Sequence, residues 1–99
     1  MRVACVKEQM NNEYRVGISP ADVKQYVKAG HEVIIESGAG VHSGFSDASY
    51  AEMGARIEPD AAKVWEQAEL MVKVKDPTPA EYKYLREDLI LFGYLHLAA

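Results

Sequence analysis

The feature that most constrains the fold is the alternation of short apolar runs with amphipathic stretches. The stretches between these runs repeat apolar residues every three or four positions, which is the period of a helix. Strands that alternate with helices in this way are typical of βαβ units around a parallel sheet. We therefore predict an α/β fold with an open, mainly parallel, Rossmann-like sheet flanked by helices. The predicted strands are residues 2–7, 32–36, 70–75 and 89–95, and a weaker candidate is 55–57.

Capping residues predict where the helices begin and end. In segment 19–22 (Ser-Pro-Ala-Asp), a capping Ser, a first-position Pro and an early acid favour a helix start, and Gly30 favours its end. A short helix is expected from Ser46 or Asp47 to Gly54, and another around Val64 and Trp65. Segment 78–81 (Thr-Pro-Ala-Glu) is a capping box, so a last helix is predicted to run to about residue 86.

Composition narrows the class of protein. The 99 residues are 48% hydrophobic with a net charge of −4, which suits a single domain, residues 1–99. An acidic balance argues against a nucleic-acid or membrane surface, because such surfaces need clustered Lys and Arg. Cys5 is the single cysteine and lies in an apolar run, so it predicts a buried small side chain in a reducing compartment. We expect a cytoplasmic protein.

Candidate chemistry gathers at the carboxyl ends of the predicted strands, where open parallel sheets bind ligands. Lys7, Arg15, Lys75 and His96 fall at or beyond strand ends. Arg grips a carboxylate with two hydrogen bonds, Lys polarises a carbonyl oxygen, and His exchanges a proton near neutral pH. Taken singly, an arginine in the position of Arg15 is more often a solvated loop residue than a ligand clamp, and His96 is equally interpretable as a satisfied core histidine. Lys7 and Lys73 are interpreted as strand-end or face charges.

Two other patterns predict no cofactor or metal site. Segment 38–40 (Gly-Ala-Gly) is a weak fragment of a dinucleotide fingerprint, but it lacks the third glycine and follows the second strand. Tight turning and close packing explain its glycines better. His31 and His42 have no partners at metal-ligand spacing.

Several segments together resemble a known family. They are 7–8 (Lys-Glu), 11–16 (Asn-Asn-Glu-Tyr-Arg-Val), 36–40 (Glu-Ser-Gly-Ala-Gly), 72–77 (Val-Lys-Val-Lys-Asp-Pro) and 94–99 (Tyr-Leu-His-Leu-Ala-Ala). In this order they resemble the beginning of alanine dehydrogenases, which proton-translocating transhydrogenases share. Lys75 and His96 together favour the alanine dehydrogenase branch.

The resemblance implies a fold like the catalytic domain of formate and glycerate dehydrogenases. It also implies roles: Arg15 holds the substrate carboxylate, Lys75 contacts the oxygens of the oxo acid, and His96 is the acid/base residue. The family reaction is the reversible oxidative deamination of L-alanine to pyruvate and ammonia, with hydride passing to NAD.

The same resemblance places the NAD-binding domain after the point where this sequence stops. We therefore expect an N-terminal substrate-binding portion, cut off before that domain, that binds alanine or pyruvate, holds no NAD and is inactive alone. An alternative is a stand-alone carboxylate-binding or self-associating module, since an uncovered sheet face favours homo-oligomers with exchanged elements. A third hypothesis is the transhydrogenase N-terminal domain.

Overall fold

The sheet is parallel throughout. A computed structural model describes residues 1–9 and 13–93. Its strands are β1 (Arg2–Cys5), β2 (Glu32–Glu36), β3 (Arg56–Glu58), β4 (Leu70–Lys73) and β5 (Ile90–Gly93). The order across the sheet is β3-β2-β1-β4-β5, and all four neighbouring pairs are parallel. The chain thus builds outward from β1 to β3, then crosses to the other side of β1. The predicted α/β fold is confirmed.

Helices connect the strands, and the helices predicted to start after Ser19 and Ser46 begin at those caps. The α-helices are α1 (Pro20–Lys28), α2 (Asp47–Glu52) and α3 (Ala61–Gln67), with 3₁₀ helices at Val41–Ser43 and Pro79–Tyr84. Ser19 forms a capping box with Asp22, and Ser46 and Asp60 cap the other two α-helices. In the described ranges, none of the helices has the length and apolar character needed to cross a membrane.

The last helix differs from its prediction. The expected capping box between Thr78 and Glu81 forms, but it opens a 3₁₀ helix that ends at Tyr84 instead of an α-helix reaching residue 86. Leu85 already has extended backbone angles. Arg86 donates hydrogen bonds to the carbonyl oxygens of Trp65 and Ala68, so the segment is drawn back to the end of α3.

Each face of the sheet has its own core because side chains alternate along a strand. From β1, Val3 and Cys5 pack on the face covered by α1 and α2, whereas Ala4 packs on the face covered by α3. Trp65 of α3 stacks on Tyr84 with ring centroids 5.6 Å apart. Burial on both faces explains why the central strands are apolar along their length. The predicted burial of Cys5 is confirmed, and desolvation raises its pKa to about 12.

Two strands are shorter than predicted, and the edge strand β5 carries exposed apolar side chains. β1 ends at Cys5 rather than Lys7, and β4 ends at Lys73 rather than Lys75. In the edge strand β5, Ile90 and Phe92 are 55% and 44% exposed.

Candidate functional site

The candidate site lies at the carboxyl ends of β1 and β4. These strands are neighbours, yet β1 leads on to β2 on its other side, so the chain changes direction between them. Ligands of open α/β sheets bind in the crevice outside the strands at such a switch point. Glu8, Glu13 and Arg15 follow β1, and Lys75 follows β4.

The carboxylate of Glu13 brings two predicted site residues together. Its Oε2 accepts from Nε of Arg15 at 3.0 Å, and its Oε1 accepts from Nη2 of Arg15 at 2.9 Å. The Nζ of Lys75 is 3.9 Å from the same Oε1. The Glu13 side chain is only 3% exposed, whereas those of Arg15 and Lys75 are 62% and 35% exposed. Arg15 and Lys75 therefore share one buried anchor while their outer surfaces face solvent.

The electrostatics of this group favour a second anion. The hydrogen bond from Arg15 lowers the pKa of Glu13, and the same contact raises the pKa of Arg15, so the pair stays charged. Glu13, Arg15 and Lys75 together carry a net positive charge, and the Glu8 carboxylate, which also acts on Arg15, offsets part of it. A guanidinium has five N–H donors, and Glu13 uses one on Nε and one on Nη2. The N–H donors on Nη1 suit a second carboxylate, because the planar guanidinium can donate to both carboxylate oxygens.

Lys73 is not the face charge that the sequence indicated. It is 1% exposed, and its Nζ lies 3.3 Å from Oε1 of Glu8 and 3.5 Å from Oε1 of Glu81. Both carboxylates are also buried, with side chains 2% exposed. Burying a charge costs free energy unless it is paired. One ammonium here pairs with two carboxylates, and among the described residues Oε2 of Glu81 is buried without a hydrogen-bond partner. The alternation pattern placed Lys73 correctly in a strand but gave no sign of its partners.

A shallow cleft adjoins Lys75. It has a volume of about 290 Å³ and lies between the Pro79–Tyr84 helix and the carboxyl end of β5. Apart from Lys75 and Asp76, its lining is mainly apolar, from Pro77, Tyr82, Leu85 and Leu91. The cation of Lys75 therefore stands at the border of an apolar recess.

The glycines of segment 38–40 serve tight turning and close packing, as predicted. Gly38 has φ +83°, and its backbone N–H donates to Asp47 at 2.9 Å, a contact that lowers the pKa of that carboxyl. A Cβ on Gly40 would lie 2.5 Å from the hydroxyl oxygen of Tyr50. The space above this glycine is therefore filled by protein.

The other candidates are not joined to the site. Lys7 is exposed two residues beyond the end of β1, and its backbone N–H donates to Glu36 at 2.8 Å. His96 lies outside the described residues, so its predicted role stays a prediction. Within the described ranges, His, Cys, Asp and Glu form no group of three suited to a metal ion.

Sequence reasoning missed the acidic half of the site. Glu8 and Glu13 lie in a polar segment without a helical or strand period, so pattern analysis assigned them nothing. The available signal was charge balance: cations placed on a partly buried rim need carboxylates within reach.

Comparison with known proteins identifies the family. Residues 4–99 match the family model described as "Alanine dehydrogenase/PNT, N-terminal domain". The chain belongs to this family.

Individual relatives agree with that assignment. Alanine dehydrogenase of Bacillus subtilis is 48% identical over 99 residues, which is 100% of this chain and 26% of the relative. Alanine dehydrogenase of Staphylococcus epidermidis is 48% identical over 98 residues, 99% of this chain and again 26% of the relative. The chain thus spans about a quarter of the length of these members of the family.

Solved structures show the same fold. A structure of L-alanine dehydrogenase superposes with a TM-score of 0.92 at 48% identity, covering 99% of this chain and 27% of that one. A transhydrogenase from Sinorhizobium meliloti superposes with a TM-score of 0.86 at 31% identity, covering 94% of this chain and 27% of that one. Both branches of the family are therefore similar in fold, and the alanine dehydrogenase is more similar in sequence.

Proposed function

We propose that this chain supplies the substrate half-site of an alanine dehydrogenase and that Arg15 and Lys75 bind the oxo acid or amino acid there. The observation that carries the proposal is their shared contact with Glu13 at the switch point of the sheet. The family and its 48% identical alanine dehydrogenases support the substrate class.

The half-site divides the substrate between two cations. Arg15 binds the carboxylate through the N–H groups that Glu13 does not use, since a bidentate fork fixes both position and orientation. Lys75 donates to the keto oxygen of pyruvate and polarises the carbonyl carbon toward attack. The methyl group of pyruvate then faces the apolar recess formed by residues such as Pro77 and Leu91. For His96 we propose the acid/base role that its family position implies.

The described residues do not fit the NAD that the family reaction uses. The turn after β1 carries Lys7 and Glu8 where a dinucleotide fingerprint needs glycines. The Gly38–Gly40 turn follows β2, and Tyr50 and Phe45 occupy the space over Gly40. We therefore propose that NAD binds in a part of the protein that this chain does not contain, and that the chain alone does not turn over alanine.

Titration with pyruvate tests the half-site. The amide and side-chain NMR signals of the chain are followed as pyruvate is added, with pyruvamide, which lacks the carboxylate, as the matched ligand control. Saturable shifts around Arg15 and Lys75 are expected with pyruvate and not with pyruvamide. Arg15→Ala is expected to abolish them, and Arg15→Lys to weaken them, because a lysine cannot form the bidentate contact.

Arg56→Ala is the control variant. Arg56 is 54% exposed and also pairs with a glutamate, Glu32, at 3.6 Å. It lies at the start of the edge strand β3, whereas Arg15 and Lys75 lie beyond the ends of β1 and β4. Pyruvate binding should survive this change. The proposed half-site is refuted if wild-type signals do not move at millimolar pyruvate. It is also refuted if Arg56→Ala impairs pyruvate binding as much as Arg15→Ala does.

Self-association is a second proposal, favoured by a different observation. The edge strand β5 exposes Ile90 and Leu91, and an exposed apolar edge pairs readily with another strand. We propose that copies of the chain associate along this edge. Light scattering at increasing concentration tests it, with Leu91→Lys expected to give a monomer. A wild-type chain that stays monomeric at high concentration would contradict this proposal.

A further inference from the structure

The buried cluster of Glu8, Lys73 and Glu81 is not part of the surface of the half-site that contacts ligand. None of its three side chains is more than 2% exposed, so none can touch a ligand in the crevice. Well-packed apolar side chains often replace a buried ion pair without loss of stability. The cluster is therefore better explained by what it holds in place.

Glu8 holds the backbone immediately beyond β4. Its Oε2 accepts from the N–H of Val74 at 3.1 Å, and its Oε1 accepts from the N–H of Lys75 at 3.2 Å. Successive N–H groups of an extended strand point in opposite directions. Two consecutive N–H groups that reach one carboxylate therefore require the chain to leave the strand conformation there.

This contact explains why β4 ends two residues earlier than its apolar pattern predicts. Strand β4 ends at Lys73, and its recorded pairing with β1 covers only Leu70 and Met71. Beyond that point Glu8, which follows β1, replaces the neighbouring strand as hydrogen-bond acceptor. Glu8, in the segment after β1, thus sets the direction in which the chain leaves the sheet at Lys75.

Lys73 fixes Glu8 in turn. Its Nζ lies 3.3 Å from Oε1 of Glu8, the oxygen that also accepts from Lys75, and 3.5 Å from Oε1 of Glu81 at the start of the Pro79–Tyr84 helix. The cluster therefore ties together the segments after β1 and β4 and the following helix. Lys75 is held at both ends, since Glu8 holds its backbone and Glu13 lies 3.9 Å from its ammonium group.

We propose that Glu8, fixed by Lys73, is a positioning residue that aims Lys75 at the oxo-acid oxygen. The inference rests on the proposed function of Lys75. It assigns Glu8 no contact with substrate, and it separates Glu8 from Glu13, which contacts both cations.

Glu8→Gln is the decisive variant, because it keeps the size of the side chain but removes one acceptor oxygen and the charge beside Lys73. Two measurements on the full chain read out Lys75 without any ligand. One is hydrogen exchange at the amides of Val74 and Lys75, and the other is the acylation rate of the Lys75 amine, measured by peptide mass spectrometry. We expect amide exchange at least tenfold faster and an acylation rate changed several-fold, while the contact of Arg15 with Glu13 is kept.

Glu36→Gln is the matched control. The carboxylate of Glu36 also accepts from a backbone N–H beyond a strand end, that of Lys7 at 2.8 Å. Glu36 feels the charges of Lys73 and Glu81, but it lies on β2, which is not a neighbour of β4. The control variant should leave exchange and acylation at Lys75 as in wild type. If Glu8→Gln leaves Lys75 unchanged, or if Glu36→Gln alters it equally, the proposal is overturned. Should Glu8→Gln fail to fold, Glu8→Asp keeps the charge and shortens the reach, and the same two readouts decide.

Pyruvate titration separates this proposal from the one on which it rests. If wild type binds pyruvate, Glu8→Gln should weaken binding about tenfold and lose the shifts at Lys75 while keeping those at Arg15. Equal loss at both residues would mean a general structural defect and overturn the positioning role. If wild type binds no pyruvate, the proposed half-site fails, and the exchange and acylation results still show whether Glu8 positions Lys75.

Discussion

Gly40→Ala should destabilise the chain because the added methyl group enters occupied space. The new Cβ would lie 2.5 Å from Oη and 2.7 Å from Cε2 of Tyr50, and 2.9 Å from Cβ of Phe45. Optimal contacts between carbon atoms are about 3.5–4.0 Å, so these neighbours must move by about 1 Å. Tyr50 is fully buried and donates to the carbonyl oxygen of Ile18 at 2.7 Å, so it has little freedom to move. Overpacking of this kind costs about 1–3 kcal/mol.

A double-mutant cycle with Tyr50→Phe tests the cause. Removing the hydroxyl leaves the Ile18 carbonyl without its donor and should itself cost about 1–2 kcal/mol. The 2.5 Å overlap disappears with the oxygen, whereas the 2.7 Å overlap with the ring remains. Gly40→Ala should therefore cost about 1 kcal/mol less in the Phe background than in the Tyr background, a coupling within the usual range for contacting residues.

Urea unfolding of the four proteins, with equal m-values, measures the cycle. Gly30→Ala is the control, since Gly30 has φ +93° and nothing within 4 Å of an added Cβ. Its cost arises from the left-handed backbone, about 1–2 kcal/mol, and should be the same in both backgrounds. The reasoning is refuted if Gly40→Ala costs less than about 0.5 kcal/mol, the scale of ordinary surface substitutions. It is also refuted if Gly40→Ala costs the same in both backgrounds.

Acid, thiol chemistry and a helix cap provide three further tests. The hydrogen bond from Arg15 lowers the folded-state pKa of Glu13, so its stabilising effect is present above the unfolded pKa of about 4.3 and is lost as pH falls through the folded pKa. Glu13→Gln should therefore be less stable than wild type at neutral pH, and urea titrations should show the gap closing in acid; a constant gap would count against the ion pair. Cys5, with its pKa raised to about 12 by burial, should react with a disulfide reagent at mildly alkaline pH only when urea unfolds the chain, and prompt labelling of folded protein would contradict its burial. Asp60→Ala removes the oxygen that caps Ala62 N–H and should cost about 1 kcal/mol in urea, whereas an unchanged midpoint would mean that the cap contributes nothing.

Local signals were sufficient for most of the architecture. Segment 19–22 and Gly30 predicted the bounds of α1 because capping and left-handed backbone depend on a few adjacent residues. The strand at 32–36 was predicted at its observed bounds, since Val33, Ile34 and Ile35 are buried on both faces. Local signals failed where a distant residue decides, as at the end of β4, which the carboxylate of Glu8 sets.

The sequence by itself determined the class of fold, the family and the identity of the candidate cations Arg15 and Lys75. Periodicity, caps and motif residues carry that information, because each depends on spacing along the chain. Only the tertiary structure decided that both cations meet at Glu13, that Lys73 is buried between Glu8 and Glu81, and that Gly40 lies against Tyr50. The contacts of Lys75 with Glu13 and of Lys73 with Glu8 join residues far apart in the sequence, because the sheet brings the ends of β1 and β4 together. The others join residues within about ten positions, but through loops and short helices that have no periodic pattern from which a contact could be predicted.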